Sequence, residues 1–212
     1  MIEIAPSVLA ADPLFVYRDV KRLVDAGAEV LHLDIMDGHF VPNLSFGPGM
    51  VAALRREFPE MLLDVHLMIS NPGQYLEAFA GAGADEITVH AEIAEDVPAL
   101  LKNIRVLGKK AGISIKPKTR VAEVEHLLPG CDLVLLMTVE PGFGGQKLMP
   151  EALTKLPQLR EAGFAGTLSV DGGVGEGNCQ MVVKSGATRL VMGTAAFRSD
   201  DPKALFARCR VL

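Results

Sequence analysis

Three short apolar stretches carry acid or imidazole groups at alternate positions: Leu31-His32-Leu33-Asp34-Ile35-Met36, Asp64-Val65-His66-Leu67-Met68 and Ser169-Val170-Asp171. Apolar runs of this length read as β-strands. Side chains alternate between the two faces of a strand, so His32, Asp34 and Met36 share one face, as do Asp64, His66 and Met68. Three strand ends that send His or Asp to one place make a candidate site. Two imidazoles and two carboxylates, His32, Asp34, His66 and Asp171, form a donor set for one divalent metal ion. Mixed nitrogen and oxygen donors suit Zn, Fe(II), Mn or Co better than Ca or Mg. A lone His-x-Asp would read as an imidazole held by a buried carboxylate for structural reasons. The convergence of three strands favours the metal. Met36, Met68 and Met137 also fall at strand ends, where thioethers either fill the core or line a dry pocket.

A second constellation is rich in glycine. It comprises Thr138-Val139-Glu140-Pro141-Gly142-Phe143-Gly144-Gly145-Gln146, then Asp171-Gly172-Gly173-Val174-Gly175, then Gly193-Thr194. Each stretch follows an apolar run, and bare backbone amides there suit an anion such as phosphate. Neither of the longer loops has the Walker pattern, and no dinucleotide fingerprint follows the first run.

The elements that must position these groups recur along the whole chain. Apolar runs occupy Ile2–Leu9, Val30–Met36, Leu62–Leu67, Glu86–His90, Gly112–Lys116, Leu133–Met137, Thr167–Asp171 and Arg189–Gly193. Their ends lie about 26 residues apart on average, room for one strand, one helix and two short loops. Asp12-Pro13 and Asn71-Pro72 each read as a helix N-cap followed by proline at the first helical position. Ala26-Gly27-Ala28, Ala82-Gly83-Ala84 and Ser185-Gly186-Ala187 repeat one junction, a helix stopped by glycine before a strand. Eight such units predict an α/β fold, a single (β/α)8 TIM barrel spanning residues 1–212 as one catalytic domain. An open doubly wound sheet is the alternative, since period alone does not show closure.

Composition narrows the function. Apolar residues make up 49% and charged residues 22% of the 212 residues, ordinary for a globular protein and unlike a disordered chain. Lys and Arg number 21 against 26 Asp and Glu, with no basic block, so nucleic acid and anionic membrane are not expected partners. The N-terminus lacks the pattern of a signal peptide. Three widely spaced cysteines suggest neither a disulfide framework nor a zinc–thiolate site. A cytoplasmic location is expected.

At the candidate site residues the chain resembles the ribulose-phosphate 3-epimerase family over essentially its whole length. The resemblance rests on Ile4-Ala5-Pro6-Ser7-Val8-Leu9-Ala10-Ala11-Asp12, His32 to Asn43, Asp64 to Met68, Met137 to Gln146 and Asp171 to Val174. It implies that His32, Asp34, His66 and Asp171 hold the metal and that Asp34 and Asp171 are the catalytic acid–base pair. It also implies substrate contacts from Ser7, His66, Gly142, Phe143, Gly144, Gly145, Gly172, Gly173, Gly193 and Thr194, with Met36, Met68 and Met137 lining the pocket. The implied reaction interconverts D-ribulose 5-phosphate and D-xylulose 5-phosphate through an enediolate. The expected partner is a small sugar phosphate, and a homo-oligomer is expected. Two positions depart from the commoner family pattern: Lys116-Pro117-Lys118-Thr119-Arg120 after the fifth strand, and Thr194 where serine is frequent.

Other readings stay open on sequence alone. The same chemistry on a hexulose phosphate is the nearest. A lyase of the orotidine-phosphate decarboxylase group would need Asp-x-Lys-x-x-Asp on the third strand, where Asp64-Val65-His66-Leu67-Met68-Ile69 stands. A non-catalytic sugar-phosphate sensor would not require both carboxylates. Phe40-Val41-Pro42 is expected to form an apolar cover or a subunit contact, with His39 and His126 at the surface.

Overall fold

The computed structural model describes residues 2–210; the ends of the expected 1–212 domain, Met1, Val211 and Leu212, lie outside the described residues. Eight strands alternate with helices: β1 (Glu3–Pro6), β2 (Val30–Met36), β3 (Leu62–Met68), β4 (Glu86–His90), β5 (Lys110–Ile115), β6 (Leu133–Met137), β7 (Thr167–Asp171) and β8 (Arg189–Met192). The α-helices are α1 (Val16–Asp25), α2 (Pro48–Glu57), α3 (Leu76–Ala82), α4 (Val97–Val106), α5 (Val121–Val124), α6 (Lys155–Glu161), α7 (Cys179–Lys184), α8 (Thr194–Phe197) and α9 (Pro202–Arg210). The strands form one parallel sheet in the order β1-β8-β7-β6-β5-β4-β3-β2. A parallel bridge between Ser7 and His32 draws the two edges together. The sheet is thus a nearly closed TIM barrel, and the open doubly wound alternative is excluded.

Strand alternation separates two kinds of core. Leu31, Leu33 and Ile35 of β2, with Leu63, Val65 and Leu67 of β3, join a large buried cluster that includes Val20, Leu23, Val51 and Leu54 from the helices. Burying each such side chain contributes about 1.5–3 kcal/mol, so this layer is the main source of stability. The alternate residues belong to the barrel interior, where Ala5, Val30, Leu133, Leu135, Met137 and Val191 form a smaller cluster. Met36 and Met68 pack with Val41 in a third. Most of the remaining interior positions are polar, among them His32, Asp34, Asp64, His66, Glu86 and His90.

The helix stops behave as their sequence predicts. Gly27, Gly83 and Gly186 have φ of 98°, 108° and 112°. In each, the glycine N–H and the next N–H reach back to carbonyls of the last helical turn, as in Gly83 to Ala80 and Ala84 to Phe79. Gly108 and Gly163 repeat the motif without the Ala-Gly-Ala signature.

Helix starts differ from expectation. Asp12 accepts the Leu14 N–H at 3.0 Å in a turn, and α1 begins only at Val16. Asn71-Pro72 opens a short 3₁₀ turn, Pro72–Gln74, ahead of α3. In both places the local Asx or proline turn forms, but the chain needs another turn before it lies along the sheet. Likewise β1 stops at Pro6 because Val8–Ala10 coil into a 3₁₀ turn, and β5 runs from Lys110 to Ile115, two residues earlier at its start than expected.

At the opposite end of the barrel interior from the strand C-termini lies a buried ion network. Arg189 is paired with Glu86, and its guanidinium also reaches Glu3 at 2.8 Å and Asp64 at 3.4 Å. Lys110 contacts Glu86 at 3.0 Å. Arg189→Met would leave Glu86 and Asp64 buried without their cation, which costs about 3–5 kcal/mol. The expected result is a lower urea midpoint with an unchanged slope; a midpoint equal to that of the parent would contradict this role.

Candidate active site

The two imidazoles and two carboxylates expected at one site are brought together. His32, Asp34, His66 and Asp171 each offer a donor atom, and these atoms all lie within 4.8 Å of one another. β2 and β3 are paired in register Asp34 to His66, which sets His66 beside the carboxylate. Asp171 arrives on β7, separated from β2 around the barrel by β8 and β1. The carboxylates therefore approach from different sides of the barrel mouth.

Hydrogen bonds aim the donors inward. His32 Nδ1 contacts Asp64 Oδ2 at 2.9 Å, leaving Nε2 directed at Asp34 Oδ1 at 3.3 Å. That Nε2 is buried and has no hydrogen-bond partner. His66 Nδ1 faces the same Asp34 oxygen at 3.2 Å. The Ser7 hydroxyl donates to the other Asp34 oxygen at 2.6 Å. With the His32 proton on Nδ1, the orphaned nitrogen and the Asp34 oxygen present lone pairs to each other. This donor set, two imidazole nitrogens and two carboxylates, fits a divalent cation such as Zn, Fe(II), Mn or Co.

The protein groups alone drive the proton affinities apart. Burial opposes ionisation of Asp34, yet His32 and His66 hold its carboxyl far below the usual range. Burial, reinforced by the Asp34 charge, pushes Asp171 up to about 7. At His32 burial favours the neutral ring, but Asp34 and Asp64 on either side outweigh it and raise its pKa well above the ordinary value. Burial lowers His66. One carboxyl is thus ionised and the other is poised to carry a proton near neutrality.

A cavity of about 740 Å³ opens beside this cluster. Its wall includes Ser7, Asp34, Asp171, Met36, Met68 and Met137, together with Gly142, Phe143, Gly144, Gly145, Gly172, Gly173, Gly193 and Thr194. His66, expected to contact substrate as well as metal, is wholly buried and is not part of that wall, nor is His32. The glycine loops are fastened to one another and within themselves. The Thr138 hydroxyl meets Gly172 O at 2.6 Å, and Asn178 Nδ2 donates to Gly173 O at 2.8 Å. Gln146 Nε2 donates to the carbonyls of Glu140 and Phe143, both at 2.8 Å.

The loop after β2 packs against the barrel mouth. Val41 is buried against Met36 and Met68, and the Phe40 ring lies 4.6 Å from that of His90. Asn43 Nδ2 donates to Gly142 O at 2.7 Å, tying this loop to the first glycine loop. His39 is exposed, as expected. Gln146 and Gly175, the ends of the two glycine-rich stretches, also lie on the cavity wall, and sequence reasoning gave no role to Asn43 and Arg198 there. It also missed Glu92, whose placement two residues after His90 repeats the His32-x-Asp34 spacing and was a usable signal.

Comparisons with known proteins give the family and the fold. The sequence model described as the ribulose-phosphate 3 epimerase family matches residues 3–197. A ribulose-phosphate 3-epimerase of Bacillus subtilis is 42% identical over 99% of this chain and 99% of its own length. One of Synechocystis is 45% identical over 94% of this chain and 89% of its own. Among solved structures, 3-hexulose-6-phosphate synthase of Salmonella typhimurium superposes with a TM-score of 0.76 at 17% identity, over 100% of this chain and 98% of that one. A 3-keto-L-gulonate-6-phosphate decarboxylase of Vibrio cholerae gives 0.73 at 18%, over 100% and 95%. At such identities these two speak for the barrel alone.

Gly173 generates a direct test of the loop packing. Its φ is +68°, and a Cβ there would stand 2.5 Å from Leu148 N and 2.6 Å from Gln146 O, both backbone. Gly173→Ala is expected to lower stability by about 1–3 kcal/mol, read as a urea midpoint; an unaltered midpoint would show that the two loops are not pressed together.

Proposed function

Because this chain belongs to the ribulose-phosphate 3-epimerase family of isomerases, we propose that it interconverts D-ribulose 5-phosphate and D-xylulose 5-phosphate. In this reading Asp34 and Asp171 exchange the C3 proton, and His32, Asp34, His66 and Asp171 hold one divalent metal ion. The observation that carries it is the gathering of these four donor groups within 4.8 Å, with the two carboxyls reaching it from strands on different sides of the barrel.

Inverting C3 means taking a proton from one face of a carbon next to a ketone and returning one to the other face. Asp34 and Asp171 reach the site from different sides of the barrel mouth, so in this reading one accepts the C3 proton while the other donates to the opposite face. The roles exchange when the reaction runs in reverse. A divalent ion bound at the four side chains supplies Lewis-acid stabilisation for charge growing on the ketose oxygens. The Ser7 hydroxyl holds Asp34 at 2.6 Å and fixes the direction of its free lone pairs. Met36, Met68 and Met137 give the reacting carbon a wall without protons to exchange. Gly142 to Gly145, Gly172, Gly173, Gly193 and Thr194 would bind the phosphate, and that remote grip sets which carbon lies between the carboxyls.

Among the described residues no helix is long and apolar enough to cross a membrane. A rice relative 41% identical to this chain is named as a cytoplasmic isoform, which supports a cytoplasmic location here.

The direct test is isotope exchange. Ribulose 5-phosphate in deuterated water should gain deuterium at C3 with the metal-replete protein, and far more slowly after chelation; no incorporation by the replete protein would overturn the reading. Hexulose phosphates should react more slowly than pentulose phosphates, and the reverse order would move the substrate assignment. Asp34→Asn and Asp171→Asn should each lower kcat by about 10²–10⁴-fold while the protein stays folded by circular dichroism; near-normal turnover in either would contradict a two-carboxyl mechanism.

Metal uptake should also depend on pH with a definite sign. Protons at His32, whose pKa is raised, and at Asp171, near 7, occupy the donor atoms and must leave when an ion binds. Apparent Co(II) affinity of chelator-treated protein should therefore rise as pH increases through about 7, with protons released. An affinity independent of pH would place the ion elsewhere.

A further inference from the structure

Behind the four donor groups, His66 makes a contact that its place in the site does not require. Its Nε2 lies 2.9 Å from Nε2 of His90, and His90 Nδ1 lies 3.0 Å from Oε2 of Glu92. The two rings are buried, with centroids 5.0 Å apart. Glu92 is held in turn: its Oε1 accepts the Lys116 N–H at 2.7 Å and the Thr119 hydroxyl. These partners come from Lys116-Pro117-Lys118-Thr119, the segment that follows β5. Phe40 covers His90 from the loop after β2, and the Lys116 ammonium sits 4.2 Å from the Phe40 ring centroid.

Two neutral imidazoles that share one nitrogen–nitrogen hydrogen bond have two arrangements. In one, His66 carries its proton on Nε2 and donates to His90, so His66 Nδ1 keeps a lone pair toward Asp34. In the other, His90 donates, and the His66 proton sits on Nδ1, where it blocks that atom as a ligand. Asp34 draws the proton the other way at 3.2 Å, but it already accepts from Ser7 and shares Oδ1 with His32 Nε2. Glu92 Oε2 has His90 alone, so the choice is made at the far end. A carboxylate only accepts, so Glu92 requires the His90 proton on Nδ1 and leaves His90 Nε2 as the acceptor. The other arrangement would set the His90 Nδ1 lone pair against a carboxylate oxygen.

We propose that Glu92 acts through His90 as a positioning residue that fixes His66 in the Nε2–H tautomer and keeps His66 Nδ1 free as a donor to the metal. The inference rests on the metal reading given above. Asp64 does for His32 directly, at 2.9 Å, what Glu92 does for His66 across one intervening ring. Carboxylates that orient ligating histidines in this way typically contribute 10–100-fold in metal affinity.

Glu92→Gln makes the proposal testable, because it conserves shape and reverses one hydrogen bond. The amide oxygen takes the place that accepts from Lys116 and Thr119, which turns the NH₂ toward His90 Nδ1. His90 must then accept at Nδ1 and donate from Nε2, and His66 is driven to the Nδ1–H form. Histidine ¹⁵N shifts of chelator-treated protein read both tautomers with no metal and no turnover. The expected result is Nε2–H at His66 and Nδ1–H at His90 in the parent, reversed at both rings in Glu92→Gln. Co(II) titration against a competing chelator should show about a 10–100-fold weaker site in Glu92→Gln, with Glu92→Asp recovering part of the loss. A parent protein with the His66 proton on Nδ1 would overturn the proposal even if no variant folds. So would Glu92→Gln with unchanged tautomers and unchanged Co(II) affinity. A parent that binds no Co(II) but shows the expected tautomers would sink the metal reading while leaving the proton arrangement standing.

Discussion

Lone pairs that converge without a cation repel one another, and this constraint governs the mouth of the barrel. Asp34 Oδ1 lies 3.3 Å from His32 Nε2 and 3.2 Å from His66 Nδ1, in surroundings with little water to screen them. Something positive must stand among these atoms, either protons or a metal ion. The raised affinity of His32 and Asp171 for protons is the protein's own expression of that demand. A barrel stabilised by its outer apolar layer can tolerate such a cluster, because the strands are held by packing against helices rather than by the interior.

The supporting structure is organised around the same demand. Three of the four donors are fastened by neighbours: His32 by Asp64, His66 by His90 and Glu92, and Asp34 by Ser7. Asp64 in turn faces Arg189, so the negative charge at the mouth is linked to a positive charge at the barrel floor. Polar residues run through the interior from Arg189 to Asp34, and it is the parallel register of neighbouring strands that stacks them in order.

Much of this was legible in the sequence because strand alternation is a strict rule. Placing His32, Asp34 and Met36 opposite Leu31, Leu33 and Ile35 needed only the period of two, and the packing follows it. The glycine junctions were readable for a similar reason, since a left-handed helix stop selects one residue type. Helix starts were less so. Asp12 accepts from the Leu14 and Phe15 N–H groups in a turn, and α1 begins only at Val16. The Glu92 link was hidden because it needs to be known that His66 and His90, 24 residues apart, meet ring to ring across β3 and β4. His66, expected to contact substrate as well as metal, is fully buried and lies outside the cavity wall.

The most direct measurement is anomalous X-ray diffraction at the absorption edge of a divalent metal supplied to the protein. A single anomalous peak, about 2.0–2.2 Å from His32 Nε2, His66 Nδ1 and one oxygen each of Asp34 and Asp171, is the predicted result. A protein saturated with metal whose peak lies away from these atoms, with His32 Nε2 still turned to Asp34, would contradict the account at its centre.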